Sequence, residues 1–576
     1  MISAHYQREL AHLKVLAVEF AKAHPALAPL LSGPSTDPDV ERLLEGTAFL
    51  TGLVREKLED ELPEVVHNLL QLIFPHYLRP VPSSVIMQFS PKPGLLEVVT
   101  AKAGTRVASV PVDGTKCLFT TCFDVDIQPL RVVSASLERR PGLRPNLTVS
   151  LELTGLRFAD WTPSCLRFLI GGGYGEAANR FALLMRYTKR LVVRPGKDGK
   201  PTTLPRKNLH PVGFADDEAL LPYPGQSFPG YRVLQEFFLL PHKFLFFDVT
   251  GLTAVRERGE GAAFDIVFEM DALPDTPPEF RAEHLILGAT PAVNTFPHSA
   301  EPIVLDRRTS GYRIRPSDMQ AQNYQVFAVS NVTGFAQGSV RQKEYVPFQM
   351  FTGGEESKAS YNLQLKPSPL GETMDQYIEV STEHQEAIVP ETLSVDLVCT
   401  NFRLPERLQV GDIGQATENS PELCQFTNIS RPTATVQPPI GDNLLWRLLS
   451  HISLNYMPLA DEKSLASLLR LYIFPDSRDQ ASIVANNKRV DGILKMTTRV
   501  ANRLFAGSVI RGYELALTVN SQNFASPGDL YVFSSVLDFF LAGYSGINCY
   551  TSCTITDYNT GEKHIWPIRL GEQRLL

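Results

Sequence analysis

The sequence contains few of the residue patterns that identify metal sites, disulfide frameworks or common catalytic centres. Its cysteines number only seven in 576 residues. The close pairs Cys117/Cys122 and Cys549/Cys553 lack CxxC spacing. This usage is typical of reduced thiols and does not favour zinc. The 12 histidines form no HxH or HExxH pattern, and neither GxSxG nor a P-loop occurs. We therefore expect no enzyme activity, no metal and no cofactor.

Runs of positive charge and long apolar segments are also missing. The net charge is −7, and no lysine or arginine cluster provides a surface for nucleic acid. The start, "MISAHYQREL", lacks the apolar stretch of a signal peptide, and the most apolar segment, "FFLLPHKFLFFDV", is too short to span a bilayer. The sequence thus predicts a cytoplasmic protein without a membrane span. This expectation argues against a secreted β protein that binds sugars or cell surfaces.

The length and the changing residue pattern predict an α+β multidomain chain. A chain of 576 residues exceeds one hydrophobic core, and its 43% hydrophobic residues indicate a globular protein. Helical periodicity dominates the start, short β-like runs with turn signals follow from Pro82, and helices return after "QPPI". The predicted segments are an N-terminal helical bundle at 1–80, a β-rich, mainly antiparallel domain with a β-α insertion at 81–310, a second β-rich domain at 311–436, and a C-terminal α+β domain with α/β character at 437–576.

Three amphipathic helices are predicted in the N-terminal segment. The first has a coiled-coil-like seam, in which steps of 4, 3, 4 and 3 connect Tyr6, Leu10, Leu13, Ala17 and Phe20. The second begins at Asp37, which can cap the helix, and the third begins near Pro63. Short proline-rich joints between such helices are typical of a small bundle.

The second helix carries more apolar surface than one contact requires. In "DPDVERLLEGTAFLTGLVREKLEDELP", one predicted core stripe contains Val40, Leu43, Leu44, Leu50, Val54 and Leu58. Phe49 and Leu53 lie off this stripe and form a second apolar ridge close to Gly46. A surface helix needs a second ridge only if it contacts two neighbours. Those neighbours could be two helices of the same bundle, or one could belong to another subunit.

One glycine-rich loop offers an alternative function. In "LIGGGYGEAANRF", Gly173, Gly175 and Ala178 match G-x-G-x-x-A between a strand-like run and a helix, and Asp198 follows the next strand. A dinucleotide site would place the pyrophosphate at that helix N-terminus. Only one β-α unit is present, however, and its surroundings indicate antiparallel strands. We therefore favour an ordinary loop and keep a nucleotide-dependent enzyme as the alternative.

Several blocks of the sequence resemble the TssF family, also called VasA or ImpG, of type VI secretion baseplate subunits. They are distributed along nearly the whole chain in the order of the family: "YQREL", "DPDVERLLEGTAFL", "FPHYLRPVPS", "GYRVLQEFFLLPHKFLFFDVTGL", "NTFPHSAEPI", "SVDLVCTNFRLPERLQVG", "RPTATVQPPIGDNLLWRLLSHISLNY" and "SSVLDFFLAGYSGINCYTSCTI". This colinear order is more specific than any single motif.

The resemblance implies a structural role and a set of partners. Two TssF copies, TssG, TssE and TssK would form a wedge similar to that of contractile phage tails. Six wedges would form a ring at the cytoplasmic face of the inner-membrane complex and seed the sheath and tube. The resemblance also favours the intermolecular interpretation of the second ridge. The candidate interface residues are Gly46, Phe49 and Leu53 on the second helix and Tyr6, Leu10 and Leu13 on the first.

Overall fold

Two helices account for the described part of the N-terminal segment. The computed structural model describes residues 2–24, 38–139, 142, 144–196, 199–223, 229–306, 309, 311–318, 321–336, 342–348, 359–368, 374–381, 391–438, 461–474, 478–505, 508–543 and 549–571. The chain divides into two compact units, one of Met1–Phe74 with Ile440–Leu448 and one of Pro75–Pro439 with Leu449–Leu576. In the first unit, α1 is Ile2–Ala23 and α2 is Pro38–Ile73.

The predicted break before Pro63 is wrong, because α2 continues through this proline. A proline inside a helix removes one backbone hydrogen bond and crowds the carbonyl four residues earlier. The run "REKLEDEL" before it consists largely of strong helix formers, which favours helical backbone up to the proline. The separate third helix of the predicted bundle is therefore the second half of α2.

Five α-helices are described in the second unit, and two of them have side-chain N-caps. They are α3 Tyr174–Tyr187, α4 Pro229–Leu239, α5 Glu462–Leu471, α6 Gln480–Asp491 and α7 Pro527–Gly543. The carboxylates of Asp461 and Asp479 cap α5 and α6 by accepting from the backbone N–H of Ser464 and Ser482 at 2.7 and 3.0 Å. Helix α7, which is apolar on nearly all sides, packs against α3 and α4 and is largely buried, as its composition predicts.

The strands lie in the second unit. From its start they are β1 Ser84–Pro91, β2 Val99–Ala101, β3 Arg106–Val112, β4 Thr115–Thr121, β5 Val125–Ile127, β6 Leu130–Glu138, β7 Asn146–Leu153, β8 Cys165–Ile170, β9 Thr188–Pro195, β10 Thr202–Pro205, β11 Leu209–Pro211, β12 Phe246–Thr250, β13 Ala263–Met270, β14 Leu285–Leu287 and β15 Ala289–Val293. They continue with β16 Phe296–Ser299, β17 Ile303–Leu305, β18 Tyr312–Arg313, β19 Gln325–Ala336, β20 Gln342–Glu344, β21 Val346–Pro347, β22 Ser360–Pro367, β23 Met374–Ser381, β24 Glu391–Thr400, β25 Ile413–Ala416 and β26 Cys424–Asn428. The last are β27 Ile493–Phe505, β28 Ser508–Val519, β29 Cys549–Asp557, β30 Lys563–Ile565 and β31 Arg569–Leu570.

The predicted antiparallel architecture is confirmed. The sheet orders are β25-β3-β4-β15-β1-β26, β10-β9-β13-β7-β6, β11-β12-β8-β14, β16-β24-β19-β20 with β17 on β24, β18-β23-β22-β21, β2-β5, and β27-β28-β29-β30 with β31 on β29. Among the described strands, the parallel pairs are β21 with β22 and β28 with β29. The latter pair is joined through α7, which gives the C-terminal segment the expected α/β element. The four predicted segment boundaries remain predictions.

Alternating residues explain how these sheets acquire a buried face. In β7, "NLTVSLEL", every second residue is buried and its neighbours are only partly covered. The buried set is Leu147, Val149, Leu151 and Leu153. A second core lies under β1, β3 and β4, and a third under β19 and β24. The sheet of β7 thus buries one face, as expected for a packed antiparallel sheet, whereas β15 is buried on both faces.

Candidate interaction surface

Helices α1 and α2 pack against each other through small side chains. Ala17 and Ala21 are buried on α1, and Ala48 and Gly52 are buried on α2. Both pairs have a spacing of four residues, so each pair lies on one face of its helix. Side chains of this size allow two helix backbones to approach closely. An ion pair between Lys14 Nζ and Glu41 Oε1, at 3.4 Å, also joins the two helices.

The opposite face of α2 is apolar and exposed. Leu43, Leu50 and Val54 are 71%, 64% and 58% exposed. At 100° per residue they lie within a narrow sector on the far side of the helix from Ala48. Steps of 7 and 4 residues are those of a coiled-coil seam that lacks its partner helix. We call Leu43, Leu50 and Val54 the outer seam.

This finding corrects the predicted core stripe. Leu43, Leu50 and Val54 were expected in the bundle core, but all three are exposed. Val40 and Leu44 are half-buried, and the side chain of Leu58 lies outside the described residues. The reason is that α2 faces α1 with its narrow Ala48 side. Periodicity identified an apolar face correctly, but it did not identify which face contacts α1.

Two threonines keep their hydroxyl groups bonded to the helix. Thr47 Oγ1 donates to the carbonyl of Leu43 at 2.8 Å, and Thr51 Oγ1 donates to the carbonyl of Thr47. Such bonds satisfy the hydroxyl without water. Thr47 occupies the seam position between Leu43 and Leu50. A partner helix could therefore cover the outer seam without leaving this hydroxyl unbonded.

The predicted interface residues of α2 lie beside the outer seam. Phe49 is 47% exposed, and Leu53 is half-buried. Gly46 is exposed, and a methyl group added there would touch nothing within 4 Å. Phe49 lies about 100° from Leu50 around the helix axis. The second ridge thus exists as an accessible neighbour of the outer seam.

The predicted interface residues of α1 are less accessible. Tyr6, Leu10 and Leu13 are half-buried, and all three lie on the side of α1 that contains Ala17. The exposed apolar residues of α1 are Val15, Leu16, Val18 and Phe20. The sequence pattern placed Phe20 in the seam of the first helix and the outer seam in the bundle core. It did not identify Val15, Leu16 or Val18 as candidate contacts. The repeated small residues at a spacing of four were the signal that could have identified the true α1–α2 contact.

The glycine-rich loop serves as a packing joint within the second unit. Strand β8, which precedes it, lies between the antiparallel strands β12 and β14. A methyl group on Gly528 of α7 would lie 2.2 Å from the backbone carbon of Ala178. Ser526 Oγ donates to the carbonyl of Gly175 at 2.8 Å, and the Gly528 N–H donates to Asn179 Oδ1 at 2.8 Å. The start of α7 therefore covers the first turn of α3, where a dinucleotide pyrophosphate would bind. Asp198 lies outside the described residues.

A buried charge network holds the same joint together. The Asp529 carboxylate of α7 accepts from Arg489 Nε of α6 at 3.1 and 3.0 Å and from the Tyr174 hydroxyl of α3 at 2.9 Å. Desolvation, followed by the charge of Asp529, holds the pKa of Tyr174 well above its usual value. Tyr174 therefore stays a hydrogen-bond donor. The network connects three helices of the fold and leaves none of these groups available for chemistry.

Two buried thiols of the second unit stay in their unreactive, protonated form. Burial raises the pKa of Cys117 to about 11 and that of Cys399 to about 12, so both thiols stay protonated near neutral pH. Within the described ranges, no three His, Cys, Asp or Glu side chains are grouped as metal ligands. None of the described helices combines the length and apolar character required to cross a membrane.

Comparison with known proteins gives a consistent result over almost the whole chain. The family described as "Type VI secretion system, TssF" matches residues 1–573. The chain is 28% identical to the type VI secretion system component TssF1 of Pseudomonas aeruginosa strain PAO1, over 99% of this chain and 98% of that protein.

Two solved assemblies contain chains of similar structure. A chain of the cryo-electron microscopy structure of the type VI secretion system TssK-TssF-TssG baseplate subcomplex has a TM-score of 0.78 and 27% identity, over 93% of this chain and 99% of that chain. A chain of the type VI secretion baseplate complex has a TM-score of 0.61 and 23% identity, with full coverage of both chains. The second comparison supports the fold alone.

Proposed function

Because the chain belongs to the TssF family of the type VI secretion system, we propose that it is a structural subunit of the baseplate wedge. In this role it binds TssG, TssK and TssE together with a second copy of itself. It links wedges into a ring at the cytoplasmic face of the inner-membrane complex, and the ring seeds the sheath and tube. The similar chain in a TssK-TssF-TssG baseplate subcomplex supports this proposal.

The main support for the proposal is the exposure of the outer seam. Three aliphatic side chains, each more than half exposed, follow coiled-coil spacing on a helix that already has a neighbour on its other side. Burial of this face by a partner would stabilise the complex by about 25 cal/mol for each Å² of apolar surface removed from water. A second amphipathic helix is the element that fits this spacing. The partner therefore contributes a helix, and we assign it to TssG or to the second copy.

The predicted second ridge extends the same contact. Phe49 is accessible beside Leu50, and Gly46 leaves room for a close approach at this point. Aromatic side chains at the edge of a helix contact frequently contribute much of the binding energy. We propose that Phe49 and the outer seam contact the partner, and that Tyr6, Leu10 and Leu13 support the interface from the α1 side.

The nucleotide-dependent alternative gains no support from the geometry. A dinucleotide fold needs a parallel strand beside the glycine loop, but both neighbours of β8 are antiparallel. The first turn of α3 is covered by residues of α7. An assembly subunit explains the exposed outer seam, which an enzyme of this kind does not require.

Charge substitutions on α2 test the proposed function. Leu50→Asp and Phe49→Asp place a carboxylate in the proposed contact. We expect binding of the partner that supplies the helix, TssG or the second copy, to weaken by about 2 kcal/mol or more. The matched control is Val304→Asp in β17, because Val304 is 60% exposed and has a similar size. Each full-length chain is co-expressed with tagged TssG and, separately, with a tagged second copy. Circular dichroism and urea unfolding of each chain report on folding.

The expected result is loss of capture by one of the two partners for both α2 variants, with normal capture of Val304→Asp. Helix content and unfolding should match the wild type, because Leu50 is 64% exposed and Phe49 is 47% exposed in the free chain. If the two variants unfold, Leu50 and Phe49 belong to the internal core of the helical bundle. Folded variants that bind both partners normally would show that the outer seam is an idle surface.

A further inference from the structure

The long hairpin formed by β27 and β28 is cationic, apolar at its end and unpaired along one side. Its two strands contain Lys495, Arg499, Arg503 and Arg511 and one acidic residue, Glu514, which pairs with Arg503 at 2.8 Å. In the sheet described above, β27 pairs with β28 alone, so one of its edges is free. Such an edge can accept another strand, and isolated proteins usually protect it. We call β27 and β28 the arm.

The free end of the arm presents an apolar pair. Leu504 and Val509 lie directly opposite each other in the strand register and are 75% and 71% exposed. Towards the base, the same face becomes buried at Met496 and Leu517. Arg499 and Arg511 are exposed on the arm. The arm thus offers an apolar contact flanked by Arg499 and Arg511. Its net positive charge disfavours pairing with the arm of another copy.

A large acidic groove lies elsewhere in the second unit. It has a volume of about 1090 Å³, close to the upper end of the range for small-molecule pockets, and this volume also admits a polypeptide segment. Six carboxylates line it against three cationic side chains. Two ion pairs form within this lining, Lys102 with Asp124 at 2.8 Å and Arg167 with Asp248 at 2.8 Å. These pairs leave four carboxylates and one cation, Arg131. The groove therefore carries excess negative charge, to which exposed Asp126 and Asp217 contribute.

The walls of the groove also provide backbone edges. Strands β5, β6 and β14 contribute lining residues, and in the described sheets each pairs on one side only. Gln128, on the same wall, is 9% exposed, and its Oε1 accepts no hydrogen bond from the described residues. An unbonded buried carbonyl oxygen favours a partner that brings an N–H donor. Free strand edges and this acceptor together suit an added β-strand better than a free ion.

We propose that the arm of one copy docks in the acidic groove of a second copy. The arm contributes cations, an apolar end and a free strand edge, and the groove contributes carboxylates, backbone edges and the Gln128 acceptor. The two surfaces are different parts of the chain, so the contact is head-to-tail and can propagate into a closed ring. This proposal rests on the proposed linking of subunits into a ring and names the surfaces that form the link.

Charge exchange between the two surfaces tests the docking. The arm variant carries Arg499→Glu and Arg511→Glu, and the groove variant carries Asp126→Lys and Asp217→Lys. A combined variant carries all four changes. The control carries Lys116→Glu and Lys207→Glu, two exposed lysines outside both surfaces, so it alters the net charge as much as the arm variant does. Capture between differently tagged full-length copies is measured at low and high salt, and TssG capture is measured in parallel.

The docking predicts that the arm variant and the groove variant each associate with themselves at least tenfold more weakly than the wild type. Association should recover when arm variant and groove variant are mixed, and also in the combined variant, because opposite charges face each other again. The control should associate normally, and high salt should weaken wild-type association.

Other outcomes overturn the docking. Normal self-association of both variants, or no recovery after charge exchange, would contradict it. Loss of TssG capture by the arm variant alone would assign the arm to TssG instead. Failure of the wild type itself to capture TssG would count against the proposed function, so the two proposals can fail separately.

Discussion

The contact between α3 and α7 makes Gly528 a sensitive position. Replacing it with alanine adds one methyl group, which would lie 2.2 Å from both the backbone carbon of Ala178 and the backbone nitrogen of Asn179. Comfortable carbon contacts are 3.5–4.0 Å apart, so the two helices would have to separate by roughly 1.3 Å. Backbone atoms cannot rotate away as side chains can. The substitution should therefore displace α7 as a whole.

Two terms contribute to the expected loss of stability. Overpacking of this kind costs about 1–3 kcal/mol. Separation also weakens the bond from the Gly528 N–H to Asn179 Oδ1, now 2.8 Å, which contributes about 1 kcal/mol. The better helix propensity of alanine offsets part of this loss. We expect Gly528→Ala to lower the free energy of unfolding by about 1–3 kcal/mol.

Urea unfolding, followed by circular dichroism at 222 nm, measures this loss. The matched control is Gly46→Ala, also a helical glycine, where an added methyl group meets nothing within 4 Å. The control should raise the stability of its helix by about 0.5–1 kcal/mol, because alanine is the better helix former. A Gly528→Ala chain that unfolds at the wild-type urea concentration would refute the close α3–α7 contact and the assignment of the glycine loop as a packing joint.

Two further predictions concern buried charges. Glu236 is fully buried, pairs with buried Lys243 and accepts from the backbone N–H of Leu220 at 2.7 Å, so Glu236→Gln should destabilise the chain by about 3–5 kcal/mol. Urea unfolding measures this, and a loss below about 1 kcal/mol would contradict the pairing. Burial lowers the pKa of His564 to about 4, below its ordinary value of 6.5. The contribution of neutral, buried His564 to the free energy of unfolding is therefore fully present above pH 6.5. It is lost as the pH falls towards 4, because the unfolded chain takes up the proton first. The His564→Asn variant should not show this decrease when the free energy of unfolding is measured from pH 7 to pH 4. Equal pH profiles of the variant and the wild type would contradict the prediction.

Local patterns in the sequence were sufficient to predict much of the fold. Alternation in "NLTVSLEL" predicts a strand with one buried face, and β7 has this pattern. The apolar composition of "LYVFSSVLDFFLAG" predicts a buried helix, and α7 is buried. Both features depend on residues close in the chain. Pro63 shows the limit of local rules, because its effect on a helix depends on the residues around it.

The candidate surface was only partly predictable, because periodicity does not identify what covers an apolar face. The pattern "VERLLEGTAFLTGLV" showed two apolar ridges on α2, and both are accessible to different degrees. Which ridge faces α1 and which faces the solvent depends on Ala48, because this residue lies at the α1–α2 contact. Its small side chain adds little to an apolar stripe, so periodicity does not reveal it. The Glu236–Lys243 pair and the covered glycine loop arise from contacts distant in sequence, which no local window contains.

Hydroxyl-radical footprinting of the outer seam tests the central claim most directly. The oxidation rates of Leu43, Leu50, Val54 and Phe49 are measured in the free chain and in complexes with TssG and with a second copy. Val304 in β17, which is 60% exposed, serves as the internal reference. If the outer seam is the assembly surface, oxidation of all four residues should fall several-fold in at least one complex while that of Val304 stays constant. Unchanged oxidation of the four residues in both complexes would contradict the account.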